Sequence, residues 1–135
     1  MGVARVIVLD THALVWWVSG GPLSERARDV ISQHARARSL YASSISVWEI
    51  ATLVARGRLE LTLDVRDWIA RVEAIDGLRF VAVDNRIALA STRLPGELPR
   101  DPADRIIVAT ARSLDAPLVT RDARLAAYPH VESIW

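Results

Sequence analysis

Short apolar, β-branched runs alternate with helix-patterned segments along the whole chain, which limits it to an α/β domain built on a parallel sheet. Val6 to Leu9 (VIVL) is continuously apolar, as a strand buried on both faces requires, and it ends in Asp10. Asp10 or Thr11 then caps a short helix through Val18, which Gly20, Gly21 and Pro22 terminate. Ser24 opens a second helix whose apolar face is Ala27, Val30, Ile31, His34 and Ala35. Leu40 to Ala42 reads as a strand, and Ser43 or Ser44 caps a strongly apolar helix to Ala55, ended by Gly57. Leu59, Leu61 and Leu63 make a brief extended segment before Asp64 caps a helix through about Ile75. Phe80 to Val83 reads as a third core strand, and Asp84 caps the helix after it. Leu94 to Arg100 is a Pro/Gly loop, after which Asp101 caps and Pro102 begins a helix to about Leu114. Leu118 and Val119 form a fourth strand running into Thr120, Arg121 and Asp122, and Val131 to Ile134 a fifth.

At 135 residues, without repeat or linker, residues 1–135 read as one domain with its own core. Cysteine is absent, which excludes disulfide scaffolds, iron–sulfur clusters and thiol catalysis. All 17 basic residues are Arg, so a P-loop lysine, a Schiff base and a lysine general base are excluded as well. Met1 to Asp10 offers no secretory leader, and the weakly charged stretch Ser43 to Ala55 is too short to span a bilayer and carries Glu49. A soluble, cytoplasmic protein without a membrane partner is expected. A net charge of +1 supplies no strong field for nucleic acid, although an acidic cleft rimmed by Arg is compatible with it.

Ligands of open parallel sheets bind beyond the carboxyl ends of the strands, so acids there repay inspection. Asp10 closes the first strand and Asp122 follows the fourth; taken singly, each is explained as a helix cap. Glu49 is the only charged residue between Tyr41 and Ala55. Burial among apolar neighbours demands a partner for it, either water, an Arg such as Arg105, or a cation. Asp101 has a sufficient role as N-cap, whereas Asp104, at the third helical position, points from the first turn toward whatever that terminus faces. Carboxylates gathered in one cleft persist only if protonated, paired with Arg or bridged by a hard cation. An oxygen-only donor set suits Mg²⁺, and His12, His34 and His130 lack the spacing of zinc ligands.

The segments VIVLDTHALVWW (6–17), SSISVWEIATLVARGRLEL (43–61), DPADRIIVATA (101–111) and PLVTRD (117–122) resemble the PIN-domain ribonucleases, most closely the VapC-type toxins of bacterial type II toxin–antitoxin pairs. The resemblance runs from end to end of the chain. It implies a three-layer α/β/α sandwich around a central parallel sheet of four to five strands. It also implies that Asp10, Glu49, Asp104 and Asp122 are the metal-binding, catalytic acids, with Thr11 and Thr120 supplying supporting hydroxyls. A cognate antitoxin and a homodimer are implied too.

The expected chemistry is hydrolysis of RNA phosphodiester bonds dependent on Mg²⁺ or Mn²⁺, by in-line attack of water without a covalent intermediate. Arg100, Arg105, Arg121 and Arg124 are the candidates for holding RNA; each also reads as an ordinary solvated or ion-paired side chain. Trp16 and Trp17 read as core or as a protein-binding groove in preference to a base-stacking platform, because Leu14, Val15 and Val18 surround them. The alternatives are a non-catalytic PIN-fold binding module and a small phosphoryl-transfer or phosphatase domain. The lack of Lys and the presence of His12 two residues after Asp10 oppose the second.

Overall fold

The computed structural model describes residues 5–135; the first four residues, part of the stretch inspected for a leader, lie outside the described residues. The elements run β1 (Ile7–Leu9), α1 (Thr11–Ser19), α2 (Glu25–Arg36), β2 (Leu40–Ser43), α3 (Ile45–Ala55), α4 (Val65–Glu73), β3 (Leu78–Val81), α5 (Asn85–Ser91), α6 (Pro102–Ser113), β4 (Leu118–Val119), α7 (Ala123–Ala127) and β5 (Ser133–Ile134). All five strands are parallel, in the order β3-β2-β1-β4-β5. The chain builds outward from β1 to β3 on one side, then crosses back to place β4 and β5 on the other. A crevice therefore opens beyond the carboxyl ends of β1 and β4, where the chain leaves these paired strands toward opposite faces of the sheet.

The pleat of β1 divides the interior. Ile7 and Leu9 enter a core with Leu14 of α1, Ile31 of α2, Ile50 of α3 and Trp68 and Val72 of α4. Val8 points the other way, into a core with Ile87 of α5, Ile107 and Val108 of α6 and Leu125 of α7. Two helical layers thus sandwich the sheet, which is why the central strand is apolar at every position. Truncating a fully buried residue such as Ile107 costs about 2–5 kcal/mol in lost burial and cavity formation.

The third and fifth strands depart from the sequence reading. The third strand begins at Leu78 and ends at Val81, not Phe80 to Val83, because the ladder pairs Leu40 with Leu78 and runs out when Ser43 meets Val81. It is also the edge strand of the sheet, with Leu78 buried in the first core, Arg79 exposed, and Phe80 and Val81 half-buried. Leu59, Leu61 and Leu63 join no ladder and pack half-buried against the first core. Asp122 caps a five-residue helix, α7, as its capping reading implied, and the fifth strand is confined to Ser133–Ile134 instead of Val131 to Ile134. His34 is buried as its apolar face predicts, its Nδ1 bonded to the Ser39 hydroxyl at 2.8 Å, and burial lowers its pKa. Among the described residues no helix is long and apolar enough to cross a membrane.

Candidate active site

The ladder sets the site. Leu9 pairs with Val119, so the residues that follow them, Asp10 and Thr120, leave the sheet side by side. Asp10 is the N-cap of α1, and its Oδ1 accepts the Ala13 N–H at 2.8 Å. Its Oδ2 accepts the Thr120 hydroxyl proton at 2.5 Å. Thr120 Oγ1 in turn accepts the Asp122 N–H at 3.0 Å, so one buried hydroxyl fixes the strand-end acid and the loop that carries the next acid.

A second relay supports Glu49. Thr11 Oγ1 donates to Glu49 Oε1 at 2.5 Å and lies 2.9 Å from Ser46 Oγ. Thr11 has one hydroxyl proton, so Ser46 is the donor in the second bond. Ser46 lies one helical turn before Glu49 on α3 and was not singled out by the sequence. The pairing of Glu49 with Arg105 is not formed. Arg105 donates instead to the carbonyls of Pro99 and Arg100, tying the preceding loop to α6.

A cavity of about 460 Å³ collects Asp10, Glu49, Asp104 and Asp122, together with Thr11. Asp101 also lines it, while its Oδ1 caps α6 by accepting the N–H groups of Ala103 at 2.8 Å and Asp104 at 3.3 Å. The capping role expected for Asp101 is present, and a place among the cavity acids comes with it. Of the Arg candidates, Arg121 and Arg124 line this cavity; Arg100 lines a neighbouring one, and Arg105 is engaged by the loop. Arg124 pairs with Asp122 at 3.3 Å, and Arg121 stands over the Trp16 ring at 5.8 Å. Trp16 lines the cavity from the side and packs on Trp135, whereas Trp17 packs against the first core.

The acids shift one another's titration. Burial raises Asp104 to about 7, with further upward contributions from the charges of Asp101, Glu49, Asp122 and Asp10. Burial likewise raises Asp10 and Glu49, against the lowering effect of their threonine hydrogen bonds. For Asp122 burial acts upward too, but the hydrogen bonds and charge of Arg124 outweigh it and hold the carboxyl below its ordinary value. Such a site concentrates negative charge, offset most directly at Asp122 by Arg124 and, at Asp10 and Glu49, by the charge of His12.

Known proteins resemble this chain along nearly its whole length. The family model of the PIN domain matches residues 7–131. The chain belongs to the PIN-domain family. It is 32% identical over 131 residues to the curated Ribonuclease VapC22 of Mycobacterium tuberculosis, covering 96% of this chain and 98% of that one. Among solved structures it is similar to VapBC2 from Rickettsia felis bound to a promoter DNA fragment, with a TM-score of 0.71, 16% identity and coverage of 96% and 97%. It is also similar to DNA-bound VapBC from Salmonella typhimurium, with a TM-score of 0.67, 22% identity and 96% of each chain covered. The PIN fold expected from the sequence is therefore the fold observed, a five-stranded parallel sheet between helical layers.

The donor set of this PIN domain fits a hard divalent cation by its chemistry. Five carboxylates and the Thr11 hydroxyl make the lining rich in oxygen donors, with the His12 imidazole beside them, and mutual repulsion raises the cost of leaving the acids ionised without a cation. Among the described residues no three acidic or histidine side chains are already gathered about one point as a metal shell.

Proposed function

We propose that this PIN domain is an endoribonuclease that hydrolyses RNA phosphodiester bonds with Mg²⁺ or Mn²⁺, and that it is the toxin of a toxin–antitoxin pair. The observation that carries the reading is the joining of acids from two strand ends and two helices in one cavity, with Asp10 and Glu49 each locked by a threonine hydroxyl. Similarity to a curated ribonuclease along nearly the whole chain supports the substrate class.

Asp10, Glu49, Asp104 and Asp122 would hold the cation. When bound, it supplies charge neutralisation at the scissile phosphate and acidifies water. The chain's own residues do the rest. Thr120 keeps Asp10 in one orientation, so no rotamer freedom is lost on binding. Asp104, raised to about 7 in the metal-free protein, would give up its proton on taking the cation. Arg121 and Arg124 at the cavity rim offer guanidinium groups to the RNA backbone, Arg124 after release from Asp122.

The partners follow the same reading: an RNA substrate, a cognate antitoxin and a second copy of the chain. Complexes named as toxin–antitoxin assemblies among the structural neighbours support the antitoxin. The deciding experiment incubates purified protein with single-stranded and hairpin RNA in Mg²⁺, Mn²⁺ or EDTA. Cleavage in either metal, lost in EDTA and in Asp10→Asn, is expected. A folded protein that cuts no RNA in either metal overturns the reading and leaves a binding module.

A further inference from the structure

A second cavity of about 520 Å³ adjoins the acidic one and shares Asp101, Asp104, Arg124 and Leu125 with it. Its far wall is apolar, formed by Leu98 and Pro99 of the 94–100 loop on one side and Tyr128 and Pro129 beyond α7 on the other. The loop is a fixed wall. Tyr128, itself buried, donates its hydroxyl proton to the Pro95 carbonyl at 2.6 Å. Arg105 holds the carbonyls of Pro99 and Arg100 from the opposite side. Gly96, at φ +70°, lies against the His130 ring so closely that a Cβ there would stand 3.2 Å from Nε2. Three separate anchors on seven residues of loop leave a preformed cleft, where an unanchored loop would have collapsed onto α7.

We propose that this cleft is a nucleotide subsite, which receives the base flanking the scissile bond while Arg100 at its edge meets the adjoining phosphate. The inference rests on the ribonuclease reading and adds a specificity determinant to it. A strand whose phosphate lies among the acids has its neighbouring base within one nucleotide of them, and the continuous cavity lies there. The apolar wall of Leu98, Pro99, Tyr128 and Pro129 suits a base face, while the charged groups lie around it, with Arg100 and Arg124 facing the backbone's charge against Glu97, Asp101 and Asp104. Preference among bases then comes from the width between Pro99 and Tyr128, because a rigid apolar slot discriminates by size.

The test sequences the products of a degenerate single-stranded RNA pool cut by the wild type, Ala127→Trp and Leu98→Ala, and measures pool binding in EDTA by fluorescence anisotropy. Ala127 is an exposed residue on the cleft wall, so its replacement by Trp fills the cleft from solvent without disturbing the core. Base preference at one position flanking the cut is expected in the wild type. It should be levelled in Ala127→Trp, with binding weakened about tenfold, and broadened toward larger bases in Leu98→Ala. Wild-type cleavage with an identical base profile and affinity in both variants overturns the subsite alone. Absence of cleavage by the wild type in either metal overturns the ribonuclease reading, and the subsite with it.

Discussion

Thr120 donates its hydroxyl proton to Asp10 at 2.5 Å across 110 residues of chain, and both groups are buried. The same oxygen accepts the Asp122 N–H, so Thr120→Val, which keeps the branched shape, deletes a donor and an acceptor together. Leaving a buried carboxylate oxygen and an N–H short of partners costs about 1–3 kcal/mol, read as a lower urea midpoint. In the proposed reading Mg²⁺ affinity also falls about 10–100-fold, and Thr120→Ser recovers most of both losses. Unchanged Mg²⁺ binding in a destabilised Val variant would confine Thr120 to a structural role.

The metal-free protein should lose stability as pH rises, the reverse of ordinary acid denaturation. Asp104 has its folded carboxyl at about 7 against an ordinary 3.8, so the native state retains a proton that the unfolded chain has released. Its contribution is complete below about pH 4 and disappears as pH passes through about 7. Asp10 and Glu49 are raised and act in the same sense, while Asp122 is lowered and acts oppositely at acid pH, and buried His34, also lowered, acts oppositely below its ordinary 6.5. The urea midpoint is therefore expected to be higher at pH 5 than at pH 8. Asp104→Asn should flatten that slope and exceed the wild type at pH 8. A pH dependence that is the same in Asp104→Asn as in the wild type contradicts the burial and crowding of Asp104.

Millimolar Mg²⁺ or Mn²⁺ should raise the melting temperature, since a ligand of the folded state alone stabilises it by mass action. The shift should be larger at pH 8 than at pH 5, because acids holding protons must release them to bind. Differential scanning calorimetry at the two pH values checks the sign. Equal shifts at both, matched by Asp10→Asn, would assign the effect to ionic strength.

Much of the site was legible because its acids break a local pattern. Asp10 interrupts a β-branched run and Glu49 an apolar helix, and each break has a chemical cost that burial exposes. Asp101 was legible only as a cap, because one carboxylate oxygen suffices for capping and the sequence does not show which cavity the residue borders. Ser46 and the Arg105 contacts were hidden for a related reason: hydroxyl relays and backbone carbonyl partners leave no spacing signal. The third strand was displaced because Ala82 and Val83 prolong the apolar run beyond the point where β2 can pair with it. Strand limits belong to the partner as much as to the strand.

The start of that strand depends on a glycine whose replacement separates two effects. Gly77 has φ +90°, and a Cβ built on it would lie 2.0 Å from the Ala35 carbonyl oxygen at the end of α2. Gly57 has φ +69° with nothing within 4 Å of the added carbon. Gly57→Ala therefore meets only the left-handed backbone penalty, about 1–2 kcal/mol. Gly77→Ala adds a backbone clash that no side-chain rotation can relieve, so a loss above about 3 kcal/mol is expected. Urea unfolding of the two variants measures the difference directly. Equal losses would mean that α2 and β3 slide apart freely, and that the tight approach at Ala35 does not set where β3 enters the sheet.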